Sequence, residues 1–203
     1  MDMVAEPFRL SQALHAALSP WGVVSDELLR ELEPLFEARQ YSGGQFLAMP
    51  GKAFDRVLVV ARGVLRFFIL DEEGREWNKG FAAEGRLTGP LAETHMSWPD
   101  PYGMQAIEDS VVFEAPAATF SALAAGNAVL DGMVKRYVGA LLRMKADRLT
   151  GFQRLDATGR YRDFLERYPE LAGRLPQYHI ASYLGISEVS LSRLRRKVAG
   201  NLS

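Results

Sequence analysis

Between Gly185 and Lys197 the chain reads GISEVSLSRLRRK. Ser187, Ser190 and Ser192 are compact hydroxyl donors and acceptors. Arg193, Arg195, Arg196 and Lys197 place four cations in five positions. A guanidinium offers a rigid fork of donors that matches paired oxygens, and an ammonium is a point charge with rotatable donors. Residues of these types on one segment suit anion recognition, through phosphate oxygens or the polar edges of bases. The plainer alternative is a solvated helix end, where cations are favoured by the helix dipole. Charge along the chain bears on the choice. Residues 1–142 hold 12 Lys/Arg against 19 Asp/Glu, and residues 143–203 hold 12 against 6. An acidic body with a basic C-terminal third points to nucleic acid or an anionic membrane surface.

Presenting such residues requires helices. Pro176 stands at the opening of one, with Ile180, Ala181 and Leu184 as its buried face. Gly185-Ile186-Ser187 then makes a tight turn, with Ser187 as N-cap of a second helix from Glu188 to about Val198. Val189, Leu191, Leu194 and Val198 are available for its packing. Two short helices joined by a glycine-containing turn form a helix-turn-helix signature. Ala181 is small where the helices cross. Ile180, Leu184, Ile186, Leu191 and Leu194 lock the pair to a preceding helix, marked by Phe164, Leu165 and Tyr168 and ending before Pro169. In this geometry the second helix enters the DNA major groove. Its candidate DNA-binding residues are Ser187, Glu188, Val189, Ser190, Ser192, Arg193, Arg195, Arg196 and Lys197. Arg193 can reach a guanine edge with two hydrogen bonds, while Arg195, Arg196 and Lys197 suit phosphates.

The whole 203-residue chain is 48% apolar, enough for a proper core, and its length fits one large domain or two small ones. Cysteine is absent, which excludes disulfides, thiolate catalysis and cysteine-held metal centres. The start is acidic and lacks the pattern of a signal peptide, and no apolar run is long enough to span a bilayer, so a cytoplasmic location is expected. Residues 7–39 read as helical, with Ser25 as N-cap, a stripe of Leu28, Leu29, Leu32, Leu35 and Phe36, and a kink or break at Pro34. From Tyr41 the period changes. Val57–Val60, Val64–Leu70, Met104–Ile107 and Val111–Glu114 are predicted strands, with Asp71–Gly74 as a hairpin turn. This spacing predicts a β-barrel or roll. The proline-rich stretch 88–103 is predicted to be a loop.

Residues 116–127 read as a short helix, and Val129–Gly151 as a long one. Leu130, Val134, Tyr137, Leu141 and Met144 follow at steps of 4, 3, 4 and 3, widened by Met133, Val138 and Leu142. A seam this wide can pack inward and also pair with a second copy, which predicts a homodimer. The expected class is α+β: a β-roll over 1–126, a dimerisation helix over 127–152 and a helix-turn-helix domain over 153–203.

Taken together, LDEEGREW with GFAAEG (70–85), LDATGR (155–160) and IASYLGISEVSLSRLRR (180–196) resemble the Crp–Fnr family of regulators over nearly the whole chain. The resemblance implies a cyclic-nucleotide-binding-like double-stranded β-roll, a long dimer helix and a winged-helix-like DNA-binding domain. It also implies a bacterial transcription regulator that binds an inverted repeat as a homodimer and meets RNA polymerase. The chain departs from that family where the cyclic nucleotide is held. GPL (89–91) stands where the family has Gly-Glu-Leu, and YGM (102–104) where it has an arginine with a hydroxyl residue. Lys145 and Ala146 replace the hydroxyl residues expected against adenine. Without the arginine, a buried cyclic phosphate loses its charge-assisted bonds. The candidate effector pocket is therefore Gly89, Leu91, Tyr102, Met104, Arg143 and Lys145, with Trp98 near in sequence, and its effector is not expected to be cyclic AMP. On the recognition helix Glu188 lies one place before the family's glutamate, leaving Val189 for a thymine methyl. His15, His95 and His179 do not form a metal or haem pattern, and no cofactor is expected. No nucleophile–base set or phosphate loop marks an enzyme. The alternatives are an effector-free DNA binder or interaction platform, and a cyclic-nucleotide sensor with an atypical pocket.

Overall fold

Val57, Leu58, Val59 and Val60 are all shielded from solvent. They lie on β3 (Arg56–Arg62) of a computed structural model that describes residues 9–91 and 102–200. A strand covered on both faces reads as a continuous apolar run, because neither set of alternate side chains meets water. Val57 and Val59 join one core with Leu14 and Leu18 of α1 (Leu10–Leu18), Leu28 and Leu32 of α2 (Asp26–Leu32) and Phe120 of α3 (Ala117–Gly126). Leu58 and Val60 face the other way, into a cluster with Leu65, Ala82, Met104, Ala106 and Val112.

Two antiparallel four-stranded sheets make up the roll. One runs β1 (Glu37–Tyr41), β8 (Ser110–Pro116), β3, β6 (Leu87–Thr88). The other runs β2 (Phe46–Ala48), β7 (Gly103–Ala106), β4 (Leu65–Leu70), β5 (Glu76–Ala82). The predicted strands are present. The expected helix over 7–39 is corrected in two places. It is broken after Leu18 by a 3-10 turn at Ser19–Trp21, and a second such turn at Glu33–Leu35 carries Pro34. Residues 37–41 are strand, not helix, because they pair in register with β8 from Glu37↔Glu114 to Tyr41↔Ser110. Ser25 caps α2 as expected, accepting from the Leu28 N–H at 3.2 Å.

The 27-residue helix α4 (Ala128–Arg154) begins where the Asn127 side chain accepts from the N–H groups of Val129 and Leu130. The described chain forms two compact units, one within Met1–Phe67 and Phe81–Ala140, the other within Phe68–Gly80 and Leu141–Ser203. In the first, Leu130, Met133 and Val134 are buried, and Tyr137 meets Trp21 edge-on at 5.3 Å. The second holds the rest of α4, the outer part of the β4–β5 hairpin and three further helices: α5 (Ala157–Arg167), α6 (Gln177–Leu184) and α7 (Glu188–Gly200). No strand lies between α5 and α7, so the winged part of the predicted domain has no counterpart among those residues. Among the described residues no single helix is long and apolar enough to cross a membrane.

At the hairpin turn the Asp71 carboxylate collects four donors. The Trp77 indole N–H lies at 2.9 Å, Arg75 Nε at 2.8 Å, and the backbone N–H groups of Arg75 and Glu73 at 2.9 and 3.1 Å. The Trp77 bond first, and then Arg75, hold this carboxyl well below the usual carboxylate range. Gly74 has a φ of 77°, as the predicted turn requires.

Candidate nucleic-acid interface

The second unit is built around Phe164, which is fully buried. Tyr168 and Tyr183 tilt against it at 5.6 and 5.7 Å, and Tyr161 stacks at 6.3 Å. Leu171, Ile180, Ala181, Leu184 and Leu191 are buried in the same unit. Asp156 caps α5, accepting from Gly159 N–H at 2.7 Å, so LDATGR is a helix start.

The turn between α6 and α7 is set by backbone chemistry. Gly185 adopts the left-handed conformation at φ 66° and ψ 39°. Its N–H donates to Ser182 O at 3.2 Å, and Ile186 N–H donates to Ala181 O at 3.1 Å. This pair of bonds is a Schellman motif, and it satisfies carbonyls that the helix end leaves open. Ser187 then caps α7, accepting from Ser190 N–H at 3.2 Å. The two hydroxyls lie 2.9 Å apart.

Leu191 and Leu194 are buried beneath α7, while Glu188, Val189, Ser190, Arg193, Arg196 and Lys197 are exposed and Ser192 and Arg195 half-buried. Val189, Arg193 and Arg196 follow at steps of four and three, so they share one face. Ser187 and Ser190 are drawn into the cap, which ties their hydroxyls to the helix start. The Val198 side chain lies outside the described residues.

Sequence reasoning missed the residues that hold this turn. Arg148, on α4, donates through Nη2 to Tyr183 O at 2.9 Å and lies 4.3 Å from the Tyr183 ring centre. Arg160, on α5, donates to Leu184 O at 3.1 Å and Leu155 O at 3.0 Å. Phe152 takes both guanidiniums at 5.0 Å from its ring centre. Cations at a helix C-terminus are favoured by its open carbonyls. The i,i+4 spacing of Arg148 and Phe152 was the available signal.

Comparison with solved structures places the arrangement. FixK2 from Bradyrhizobium japonicum matches with a TM-score of 0.73 at 19% identity, over 82% of this chain and 85% of that one. The c-di-GMP-responsive global regulator CLP from Xanthomonas campestris matches at 0.71 and 14%, over 87% and 93%. The fold is that of the Crp–Fnr regulators. A CooA variant from Carboxydothermus hydrogenoformans shares it at 0.69 and 19%, over 84% and 79%. No family model and no curated protein matches the sequence.

Within this Crp–Fnr fold Gly89, Leu91, Tyr102 and Met104 of the candidate effector set belong to the first unit, and Arg143 and Lys145 to the second. Gly89 has a φ of 109°, and a Cβ there would meet the Arg56 carbonyl at 2.3 Å, so only glycine fits beside β3. Pro90 is buried, and Leu91 belongs to the core shared with α1 and α2. Met104 lies in the other cluster, inside the roll, and Tyr102 is half-buried beside it in sequence. Arg143 and Lys145 are exposed on the part of α4 that belongs to the second unit. Trp98 and His95 lie outside the described residues. Of the predicted dimer seam, Leu130 and Val134 are buried in the first unit, and Tyr137, Leu141 and Met144 are half-buried. The apolar side chains that α4 leaves most open are Leu149 at 65% exposure, Leu142 at 59% and Val129 at 55%.

Proposed function

We propose that this chain is a sequence-specific DNA-binding transcription regulator that acts as a homodimer on an inverted repeat. The observation that carries the proposal is the outward row Val189, Arg193 and Arg196 on α7, backed by buried Leu191 and Leu194 and preceded by a hydrogen-bonded turn. A helix anchored this way presents base-reading groups without paying much ordering entropy on binding. Arg193 reads a guanine edge and Val189 a thymine methyl. Arg196 and Lys197 neutralise phosphate. The likeness to CLP, a global regulator, supports a regulator's role. The machinery we propose it acts on is RNA polymerase.

The dimer contact runs along Leu142 and Leu149, which are seven residues apart and so lie on one face about 10 Å apart along α4. A two-fold copy sets two recognition helices about 34–36 Å apart, in successive major grooves. The effector is a ligand other than cyclic AMP. Buried Pro90 has neither an N–H nor a carboxylate to give a ribose, and Tyr102 offers a single hydroxyl in place of a guanidinium fork.

Selection of bound duplexes from a random-sequence DNA pool tests the proposal. An enriched inverted repeat, with half-site centres about 10–10.5 base pairs apart, is expected. Absence of any enriched sequence overturns it.

A further inference from the structure

The DNA-binding proposal makes no use of the grip that the β4–β5 hairpin has on α6. Asn78 of β5 is 1% exposed and His179 of α6 is 5% exposed. The Asn78 side-chain nitrogen donates to the His179 carbonyl at 3.0 Å and faces the His179 Nδ1 at 3.1 Å. The Asn78 N–H donates to Ser182 Oγ at 2.9 Å, and that hydroxyl reaches the Glu76 carbonyl at 3.4 Å. Arg148 Nη2 donates to the Asn78 carbonyl at 3.2 Å while also holding Tyr183 O. All of these residues belong to the same compact unit.

The protonation state of this cluster follows from which atoms can donate. A carbonyl oxygen only accepts, so the NH2 end of the Asn78 amide must face His179 O. The second hydrogen of that NH2 points at Nδ1. Nδ1 must therefore offer its lone pair, and the neutral ring carries its proton on Nε2. A proton added at Nδ1 would set N–H against N–H inside a buried contact, which forfeits the bond and strands a donor. The Tyr178 ring lies beside the imidazole, with centroids 4.1 Å apart. Arg148 from α4 reaches the Asn78 carbonyl at 3.2 Å, and Lys79 follows Asn78 on the hairpin strand. Burial first, and then Arg148 and Lys145, hold the Lys79 ammonium below its ordinary value, so the surroundings already disfavour added positive charge.

We infer that Asn78 and His179 form a proton-sensitive clasp on the helix-turn-helix: the hairpin holds α6 while Nδ1 is unprotonated and lets go when a proton binds there. Because Gly185 and Ile186 tie α7 to α6 through the backbone, the clasp also sets the position of the recognition helix. That last consequence rests on the DNA-binding proposal, while the clasp itself does not. The sign is that of a base hindered from protonation: the clasp holds above the ordinary imidazole range and is lost as pH falls through it.

The test uses the full chain and two readouts. Nitrogen-15 shifts of the His179 ring should show the Nε2–H tautomer at about pH 8, and an Nδ1–H tautomer there overturns the inference. Amide-exchange protection of Asn78 and of α6, corrected for intrinsic rates, should fall about tenfold between about pH 8 and pH 5.5. His179→Gln, whose side-chain oxygen still accepts, should flatten that dependence. Asn78→Asp should invert it, since a carboxylate accepts from an imidazolium. Protection in the unaltered chain that ignores pH, or a dependence that survives His179→Gln, sinks the idea. If the clasp behaves as described but no sequence is enriched from the DNA pool, the failure belongs to the DNA-binding proposal alone.

Discussion

The Arg148 guanidinium packs 4.3 Å from the centre of the Tyr183 ring and donates to the carbonyl of the same residue at 2.9 Å. One side chain thus closes the end of α6 and covers the aromatic core beneath it. Burial first, and then Tyr168, push the Tyr183 hydroxyl well above the usual phenol range, as expected for a ring enclosed by its neighbours. Arg148→Lys keeps the charge but loses the planar fork and the stacking. Denaturant unfolding should show a loss of about 1–3 kcal/mol. An unchanged midpoint and slope would remove Arg148 from this role.

Gly185→Ala should weaken the turn twice over. Its φ of 66° lies where a Cβ costs about 1–2 kcal/mol, and that Cβ would meet Phe152 Cε1 at 3.2 Å. Adding Phe152→Ala should relieve the contact and leave the backbone strain. Thermal melting of both variants separates the two, and full recovery in the double variant would contradict the strain.

Arg193 and Lys197 are expected to divide specificity from affinity. Arg193→Ala should cost about 1–3 kcal/mol on the selected site and relax its preference there. Lys197→Ala should weaken all sequences alike and lower the salt slope by about 1. Fluorescence anisotropy on selected and random duplexes across salt concentrations distinguishes the roles. Equal loss on both duplexes for Arg193→Ala would count against base reading.

The buried first half of the α4 seam changes which substitution should break a dimer. Leu142→Arg falls on an exposed position and should yield a folded monomer by sedimentation, whereas Leu130→Arg falls on a fully buried one and should unfold the first unit. A monomeric parent chain at micromolar concentration would exclude the proposed dimer.

Cyclic AMP and cyclic GMP at millimolar concentration should leave the melting temperature unchanged. A ligand at 100 times its dissociation constant stabilises by about 2.7 kcal/mol, which a melting scan resolves readily. An upward shift that Lys145→Ala abolishes would restore a nucleotide-sensor role.

The sequence was most legible where chemistry is local. Gly185 with Ser187 spelled a turn and a cap, because one needs a left-handed backbone and the other needs an oxygen beside free N–H groups. Asp71–Gly74 spelled a hairpin turn because Gly74 is free to take a positive φ, and it does so at 77°. Val57–Val60 spelled a strand through a short β-branched and apolar run, and the fold then covered both of its faces.

Other features depend on what covers a face, and periodicity is silent about that. Residues 37–39 look helical beside Leu35 and Phe36, yet 37–41 form a strand because β8 supplies the partner, with Tyr41 bonded to Glu114 73 residues away. The α4 seam is continuous in spacing, but the first unit takes Leu130 and Val134 and leaves Leu142 and Leu149 open. Asn78 has the composition of an ordinary surface residue. Only folding brings it to His179, 101 residues on, where a buried amide must find acceptors and so determines which ring nitrogen carries the proton.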